Sequence, residues 1–180
     1  MRTLGGSDFV WAQVLETIRI DDQTISPGDV ADVCSLLSVA DRVLVANLAG
    51  AQRAAYAMCS ALTSLGFAVR SLTAATGIKR SDTVVVFAGP GVEDDDAGVV
   101  WPVVRSGAVL LVVTATTSPP PLRRADASVS IPVRLARYPR QREESFSRTA
   151  FDLMALIVVG AVECGLIELL ARRDEHRHVN

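Results

Sequence analysis

The chain has 180 residues and a formal net charge of -2, with 49% hydrophobic and 21% charged residues. This length predicts one compact domain spanning residues 1–180. Because basic residues do not exceed acidic ones and aromatic residues make up only 5%, we expect no nucleic-acid partner. The mean hydropathy is high, at +0.31. The charge-free runs Gly107–Leu122 and Leu153–Val162 are proline-broken or too short to cross a bilayer, so no membrane partner is expected either.

The cysteine and histidine content predicts a reduced, cytoplasmic protein without a metal site. Cys34, Cys59 and Cys164 are widely spaced in apolar surroundings, and none has the spacing of a zinc motif. The two histidines, His176 and His178, lie in a polar tail, where metal binding would be adventitious. Catalysis by a histidine acid or base within the domain is therefore excluded.

Two helices are predicted in residues 1–40, namely Phe9–Ile20 and Pro27–Ser38, the second with Ser26 as its N-cap. Residues 41–133 then alternate β-rich runs with helical patterns. The predicted strands are Arg42–Ala46, Ala68–Leu72, Thr83–Ala88, Ala108–Thr114 and Ala127–Val133. The first, third and fourth are continuous apolar runs, which are typical of strands covered on both faces.

The predicted later helices are Ala51–Leu65, Asp94–Arg105 and, within residues 147–173, Ser147–Arg172. Strands alternating with helices predict an α/β fold, a three-layer α/β/α sandwich around a five-stranded parallel sheet. The last helix is apolar almost all round, so we expect it to be central to the fold or buried between subunits. The charged segment before it, Arg134–Arg148, is interpreted as an exposed excursion.

Two loops follow strands at the sheet edge where parallel sheets bind ligands. Neither has the glycine pattern of a dinucleotide or Walker A loop. The candidate ligand-binding residues in these loops are Asn47, Ala49, Gly50, Ala51, Gln52, Arg53, Gly89, Gly91 and Glu93. A plainer interpretation is that the glycines only permit tight strand-to-helix turns.

Five short segments occur in a characteristic order and spacing. They are Ser64-Leu65-Gly66-Phe67, Ser81-Asp82, Gly107-Ala108 with Val109–Thr114, Arg123–Asp126 with Ile131-Pro132, and Thr149-Ala150-Phe151-Asp152. This order resembles the sugar isomerase (SIS) domain, most closely the single-domain 6-phospho-3-hexuloisomerases. The resemblance implies a flavodoxin-like topology and aldose–ketose isomerisation of a phosphosugar without metal or organic cofactor. It also implies a homodimer or homotetramer.

Both loops depart from the family pattern. The family's first loop resembles G-x-G-R-S, and here Gly50 and Ala51 replace the Arg and Ser. The second resembles S-G-S-G-E-T; Gly89 and Gly91 remain, but the hydroxyls are gone and Glu93 stands where the family has a phosphate-binding Thr. The acidic run Asp94-Asp95-Asp96 follows, either as a helix N-terminus or as oxygen ligands for Mg²⁺. A family histidine linked to ring opening is Ser64 here.

The resemblance places Asp152 at the position of the family's catalytic Glu, one methylene shorter. The alternative is that Asp152 is a first-turn acid stabilising its own helix. Gln52 and Arg53 either replace lost phosphate contacts or are simply exposed. A further hypothesis is that Phe146, Arg148 or Arg140 of a neighbouring subunit completes the pocket.

Three functions follow as hypotheses. The first is a phosphosugar isomerase of the hexuloisomerase type, with Asp152 as base and backbone amides holding the phosphate. The second is a SIS-type protein without isomerase activity that binds a sugar or sugar phosphate, with a regulatory or assembly role. The third is a repurposed pocket acting on a non-phosphorylated metabolite. Whether the chain is an enzyme stays open at this point.

Overall fold

The computed structural model describes residues 25–73, 76–92, 98–115, 120–131 and 140–178, with only the backbone described at 99, 140–146 and 176–178. Its helices are α1 Pro27–Ser38, α2 Gln52–Ser64, α3 Trp101–Ser106 and α4 Arg140–His178. Its strands are β1 Arg42–Leu48, β2 Ala68–Ser71, β3 Asp82–Ala88, β4 Val109–Ala115 and β5 Ala127–Ile131. Two short 3₁₀ turns, Gly98–Val100 and Leu122–Arg124, precede α3 and β5.

The strands form one parallel sheet in the order β2-β1-β3-β4-β5. This confirms the predicted five-stranded α/β sheet and its flavodoxin-like order. The continuous apolar run of β3 follows from its place in the middle of the sheet, where every residue of the strand is buried. The edge strand β2 is largely exposed, as its short and more polar sequence requires.

Two apolar layers cover the two faces of the sheet. On one face α1, α2 and α4 pack against alternate residues of the central strands, including Val43, Val85 and Leu111. On the other face Val100 and Val103 of the α3 region pack against Leu44, Val84 and Leu110, among others. Successive strand residues thus point into different layers, which gives the predicted α/β/α sandwich.

The helix starts differ from the predictions in two places. The predicted helix Asp94–Arg105 is, in its described part, a 3₁₀ turn from Gly98 followed by α3 from Trp101, and residues 94–97 lie outside the described residues. The last helix begins at Arg140 rather than Ser147, so part of the predicted excursion is helical. The Glu, Gln and Arg residues of this segment favour a helix. Their charge, from which the excursion was predicted, is compatible with a helix as well as with a loop. The predicted helix Phe9–Ile20 lies outside the described residues.

Helix α4 combines a packed face with an apolar exposed one. Its segment Ser147–Glu175 is long and apolar enough to cross a membrane by length and composition, which the count of charge-free residues missed. The central positions Phe151, Ala155 and Val158 are fully buried against the sheet layer, while 33% of the helix's most apolar stretch as a whole is buried. Ile157 and Ile167 are instead about half exposed.

Candidate functional site

The first loop leaves β1 and enters α2 through a tight turn of left-handed backbone. Ala49 has φ +52° and Gly50 has φ +97°, and the second value favours glycine. The side chain of Asn47, at the end of β1, accepts a hydrogen bond from the backbone N–H of Ala51 at 3.0 Å. Asn47 therefore has a structural role in shaping the turn as well as a position at the sheet edge.

The N-terminus of α2 is stabilised by a carboxylate from a distant part of the chain. Ala51, at the N-cap position, has no side chain that can cap the helix. Instead, Asp152 Oδ1 accepts a hydrogen bond from the backbone N–H of Ala54 at 3.1 Å. Arg53 Nε lies 3.8 Å from Asp152 Oδ2. Negative charge at this helix end is favourable because the first amides point outward with a partial positive charge.

This geometry corrects one interpretation of Asp152. The residue does not stabilise the start of its own helix, because α4 begins at Arg140 and Asp152 lies well inside it. It is 6% exposed and serves the N-terminus of α2 instead. The carboxylate is therefore held in place by another helix.

A cavity of about 810 Å³ opens beside this helix end. It is lined by side chains of β1, α2 and α4 and by the turn glycine: Asn47, Gly50, Gln52, Arg53, Tyr56, Arg148, Thr149 and Asp152. Five of the residues predicted from the sequence are thus gathered at one place, at the carboxyl end of β1, where parallel sheets bind ligands. The volume falls in the range of small-molecule sites.

The second loop supports the first rather than lining this cavity. Gly89 donates its backbone N–H to Leu48 O at 3.0 Å. A Cβ at Gly89 would lie 2.2 Å from Ala49 O, so only glycine permits this approach of the two loops. Gly91 has φ +82° and is exposed in a turn. Ala49, Ala51, Gly89 and Gly91 do not line the cavity, and Glu93 lies outside the described residues.

Three cavity residues were not among the sequence predictions for this chain's own site. Tyr56 follows Gln52 by four positions and Arg53 by three, so helical spacing places all three on one face. Arg148 and Thr149 precede Asp152 by the same intervals on α4. Arg148 reaches the cavity within its own chain, whereas the sequence suggested it only as a neighbouring subunit's contribution. The side chains of Phe146 and Arg140 lie outside the described part.

Metal-binding residues do not converge in the part of the chain that the structure describes. No group of three or more His, Cys, Asp or Glu side chains there is arranged to hold an ion. The candidate acidic run Asp94-Asp95-Asp96 lies outside that part. The cavity itself offers one carboxylate, which already accepts a hydrogen bond from Ala54.

Comparison with known proteins identifies the architecture. Neither a protein-family profile nor a curated protein sequence matches the chain. Among solved structures, the sugar isomerase domain of an RpiR transcription factor from Sphaerobacter thermophilus aligns with a TM-score of 0.61, 16% identity, and 91% and 97% coverage of this and that chain. A Methanococcus jannaschii protein, for which a 3-hexulose-6-phosphate isomerase function was inferred, aligns at TM-score 0.57, 15% identity, and 92% and 97% coverage.

A further structure is similar over most of this chain. The NanR protein of Vibrio vulnificus, complexed with ManNAc-6P, aligns at a TM-score of 0.75 and 10% identity. The alignment covers 96% of this chain and 66% of NanR. At such identities the likeness establishes the fold, and the chemistry has to be argued from the residues present.

Proposed function

Because the chain has the fold of sugar isomerase (SIS) domains, we propose that it binds a sugar phosphate or a related carbohydrate derivative in the cavity between α2 and α4. The observation that carries the proposal is the lining of that cavity at the carboxyl end of β1. Asn47, Gln52 and Thr149 bring hydrogen-bonding groups, and Arg53 and Arg148 bring positive charge. A polyol with an anionic group matches such a lining, because its hydroxyls both donate and accept hydrogen bonds.

The structural neighbours support the same class of ligand. One of them, the NanR protein, is complexed with ManNAc-6P. Another is the sugar isomerase domain of a transcription factor. A domain of this fold thus occurs in a transcription factor, and a binding role in this chain needs no catalytic group.

Isomerisation is the second candidate function, and Asp152 is its candidate base. In its favour, Asp152 lies at the cavity and matches the family's catalytic position in the sequence resemblance. Against it, one carboxylate oxygen is engaged by the Ala54 N–H and the other faces Arg53. A base has to reach the substrate proton at hydrogen-bonding distance, and these contacts hold the carboxylate at the helix end. Binding without turnover is therefore the function that the geometry supports best.

The proposal is tested by following fructose 6-phosphate with the protein by NMR over time. Binding without catalysis predicts broadening of the sugar signals and no new anomeric signals. Protein-dependent appearance of a 3-hexulose 6-phosphate, abolished by Asp152→Asn, would instead establish an isomerase. A panel of phosphorylated sugars that shows no broadening, alongside binding of an uncharged sugar, would contradict the proposal. That result would favour a repurposed pocket for a non-phosphorylated metabolite.

The exposed apolar face of α4 supports assembly into a homodimer or homotetramer. Ile157, Ala161, Cys164 and Ile167 lie along one face of this helix and are exposed in the single chain. Contiguous apolar surface of this kind is typical of subunit interfaces. The free thiols of Cys34, Cys59 and Cys164 favour a cytoplasmic protein, because thiols stay reduced in that compartment.

A further inference from the structure

We infer that the anionic group of the ligand is bound by two guanidinium groups of the same chain, Arg53 on α2 and Arg148 on α4, while Asp152 keeps that group away from the N-terminus of α2. The inference rests on the proposed function, since it names the groups that would recognise the ligand's phosphate. It assigns this task to residues outside the second loop.

Phosphates often bind at helix N-termini, but at the N-terminus of α2 two backbone amides already donate hydrogen bonds to side chains of this chain. The Ala51 N–H donates to Asn47 Oδ1, and the Ala54 N–H donates to Asp152 Oδ1. Helix N-termini bind anions through these first amides. A phosphate brought to the same amides would meet the carboxylate of Asp152 and be repelled by it. These contacts favour a position for the anion elsewhere in the cavity.

Arg53 lines the cavity with N–H donors that its contact with Asp152 does not use. Its side chain is 74% exposed, and its ion pair with Asp152 is a single 3.8 Å contact through Nε. A guanidinium carries five N–H donors in a planar fork, so most of them are left for a ligand.

Arg148 approaches the cavity from α4, and the first loop makes room for it. A Cβ at Gly50 would lie 3.2 Å from both Cγ and Cδ of Arg148, so the arginine stem passes directly over the glycine. Among the residues that the structure describes, Arg148 forms no ion pair. Two arginine residues from different helices thus line one cavity. Paired arginines bind phosphate oxygens strongly because their hydrogen bonds are charge-assisted.

The second loop has few groups that could bind the anion in place of Arg53 and Arg148. Pro90 has no backbone N–H, and Ala88, Gly89, Gly91 and Val92 have no side-chain donors. Its described residues also lie outside the cavity lining. A loop of this composition supplies backbone shape to the first loop, which fits the packing of Gly89 on Ala49.

Calorimetric titration with two probes, fructose 6-phosphate and inorganic phosphate, tests the inference. The variants are Arg53→Gln and Arg148→Gln, with Arg70→Gln as the matched control. Arg70 is exposed on β2 and away from the cavity, so its replacement removes the same charge elsewhere. We expect each cavity variant to weaken both probes about tenfold, and the control to leave affinity within about twofold. Asp152→Asn should tighten inorganic phosphate binding, because it removes the repelling charge.

The outcomes separate the inference from the proposed function. If fructose 6-phosphate binds and Arg148→Gln or Arg53→Gln behaves like Arg70→Gln, the arginine pair is wrong and the proposed function stands. If inorganic phosphate binds through both arginines but fructose 6-phosphate adds no affinity, the anion site stands and the proposed function fails. If the wild-type protein binds neither probe, both are overturned. Weaker phosphate binding by Asp152→Asn would overturn the exclusion by Asp152.

Discussion

Asp152 Oδ1 and the backbone N–H of Ala54 form a 3.1 Å hydrogen bond between residues 98 positions apart in the chain. The bond connects the middle of the last helix to the first turn of α2, and it places the carboxylate at the rim of the cavity. A helix whose N-cap residue is alanine thereby obtains its cap from another element. Asp152 therefore belongs both to the capping contact and to the candidate site. A substitution at Asp152 should change the stability of the protein as well as ligand binding.

Replacing Asp152 by alanine should destabilise the protein by about 1 to 2 kcal/mol, because it removes a helix cap and leaves the Ala54 N–H buried without a partner. Urea unfolding followed by circular dichroism measures the change. Asp174→Ala is the matched control, since Asp174 is an exposed acid near the end of the same helix. Equal stability of the two variants would show that Asp152 does not cap α2.

Gly89 tests the contact between the two loops. Alanine at this position should destabilise the protein by about 2 kcal/mol or more, because its Cβ would lie 2.2 Å from the carbonyl oxygen of Ala49 and the backbone must move. Gly77→Ala serves as the control, since a Cβ there meets nothing within 4 Å. Thermal unfolding of both variants gives the comparison, and a Gly89→Ala protein as stable as Gly77→Ala would refute the close approach.

The strands could be predicted from the sequence because the buried ones are continuous apolar runs. β3, for example, was predicted from Thr83 to Ala88 and begins one residue earlier at Asp82. Asp82 is polar but buried, and its place in the strand depends on Arg42 from β1, a partner that no local pattern reveals. The hydrophobic pattern of the sequence predicts strands and helices, but it does not show which side chains form ion pairs between them.

Patterns in the sequence predicted the candidate site only at the first loop, and Asp152 was added by the family resemblance. Asn47, Gly50, Gln52 and Arg53 follow a predicted strand, so the edge rule for parallel sheets located them. Tyr56 was missed, although its spacing from Arg53 places it on the same helical face. Arg148 was missed as a residue of this chain's own pocket because it lies where the predicted excursion meets the predicted last helix, and the sequence did not show which way it faces. The role of Asp152 depends on where α4 begins, and that was not readable from charge.

The pairing of Arg42 and Asp82 predicts a pH dependence of stability. Arg42 Nε donates to Asp82 Oδ1 at 2.8 Å, and this hydrogen bond lowers the pKa of the Asp82 carboxyl below its ordinary value of 3.8. The unfolded chain then binds the proton more readily than the folded one. The pair's contribution is complete above that ordinary pKa and is lost as the pH falls towards the folded one.

Asp82→Asn should therefore be less stable than wild type at pH 7, and the difference should shrink as the pH falls below about 4. Urea unfolding of both proteins at several pH values measures it. Asp32→Asn is the control, because Asp32 is an exposed acid on α1 whose side chain has no ion pair among the described residues. A difference that stays constant with pH would show that the carboxylate charge of Asp82 is not what the pair contributes.

Two glycines of α4 should respond oppositely to alanine. At Gly165 a Cβ would lie 2.8 Å from Sγ of the buried Cys34. The Cys34 thiol donates a hydrogen bond to Val162 O at 3.5 Å. At Gly160 a Cβ meets nothing within 4 Å, so alanine should stabilise the helix by up to about 1 kcal/mol. Gly165→Ala should instead lower the melting temperature, and adding Cys34→Ala should restore much of it. Equal effects at the two glycines would contradict the packing of α1 on α4.

The apolar face of α4 predicts the effect of charge on assembly. Ile157 is 48% exposed in the single chain, and Ile157→Glu would bury a carboxylate without a partner if this face is a subunit interface. We expect sedimentation analysis to show a shift from oligomer towards monomer for this variant. Val39→Glu is the control, since Val39 is 69% exposed and lies at the end of α1 rather than on α4. A wild-type protein that sediments as a monomer, or an Ile157→Glu variant with unchanged assembly, would show that copies do not meet through α4.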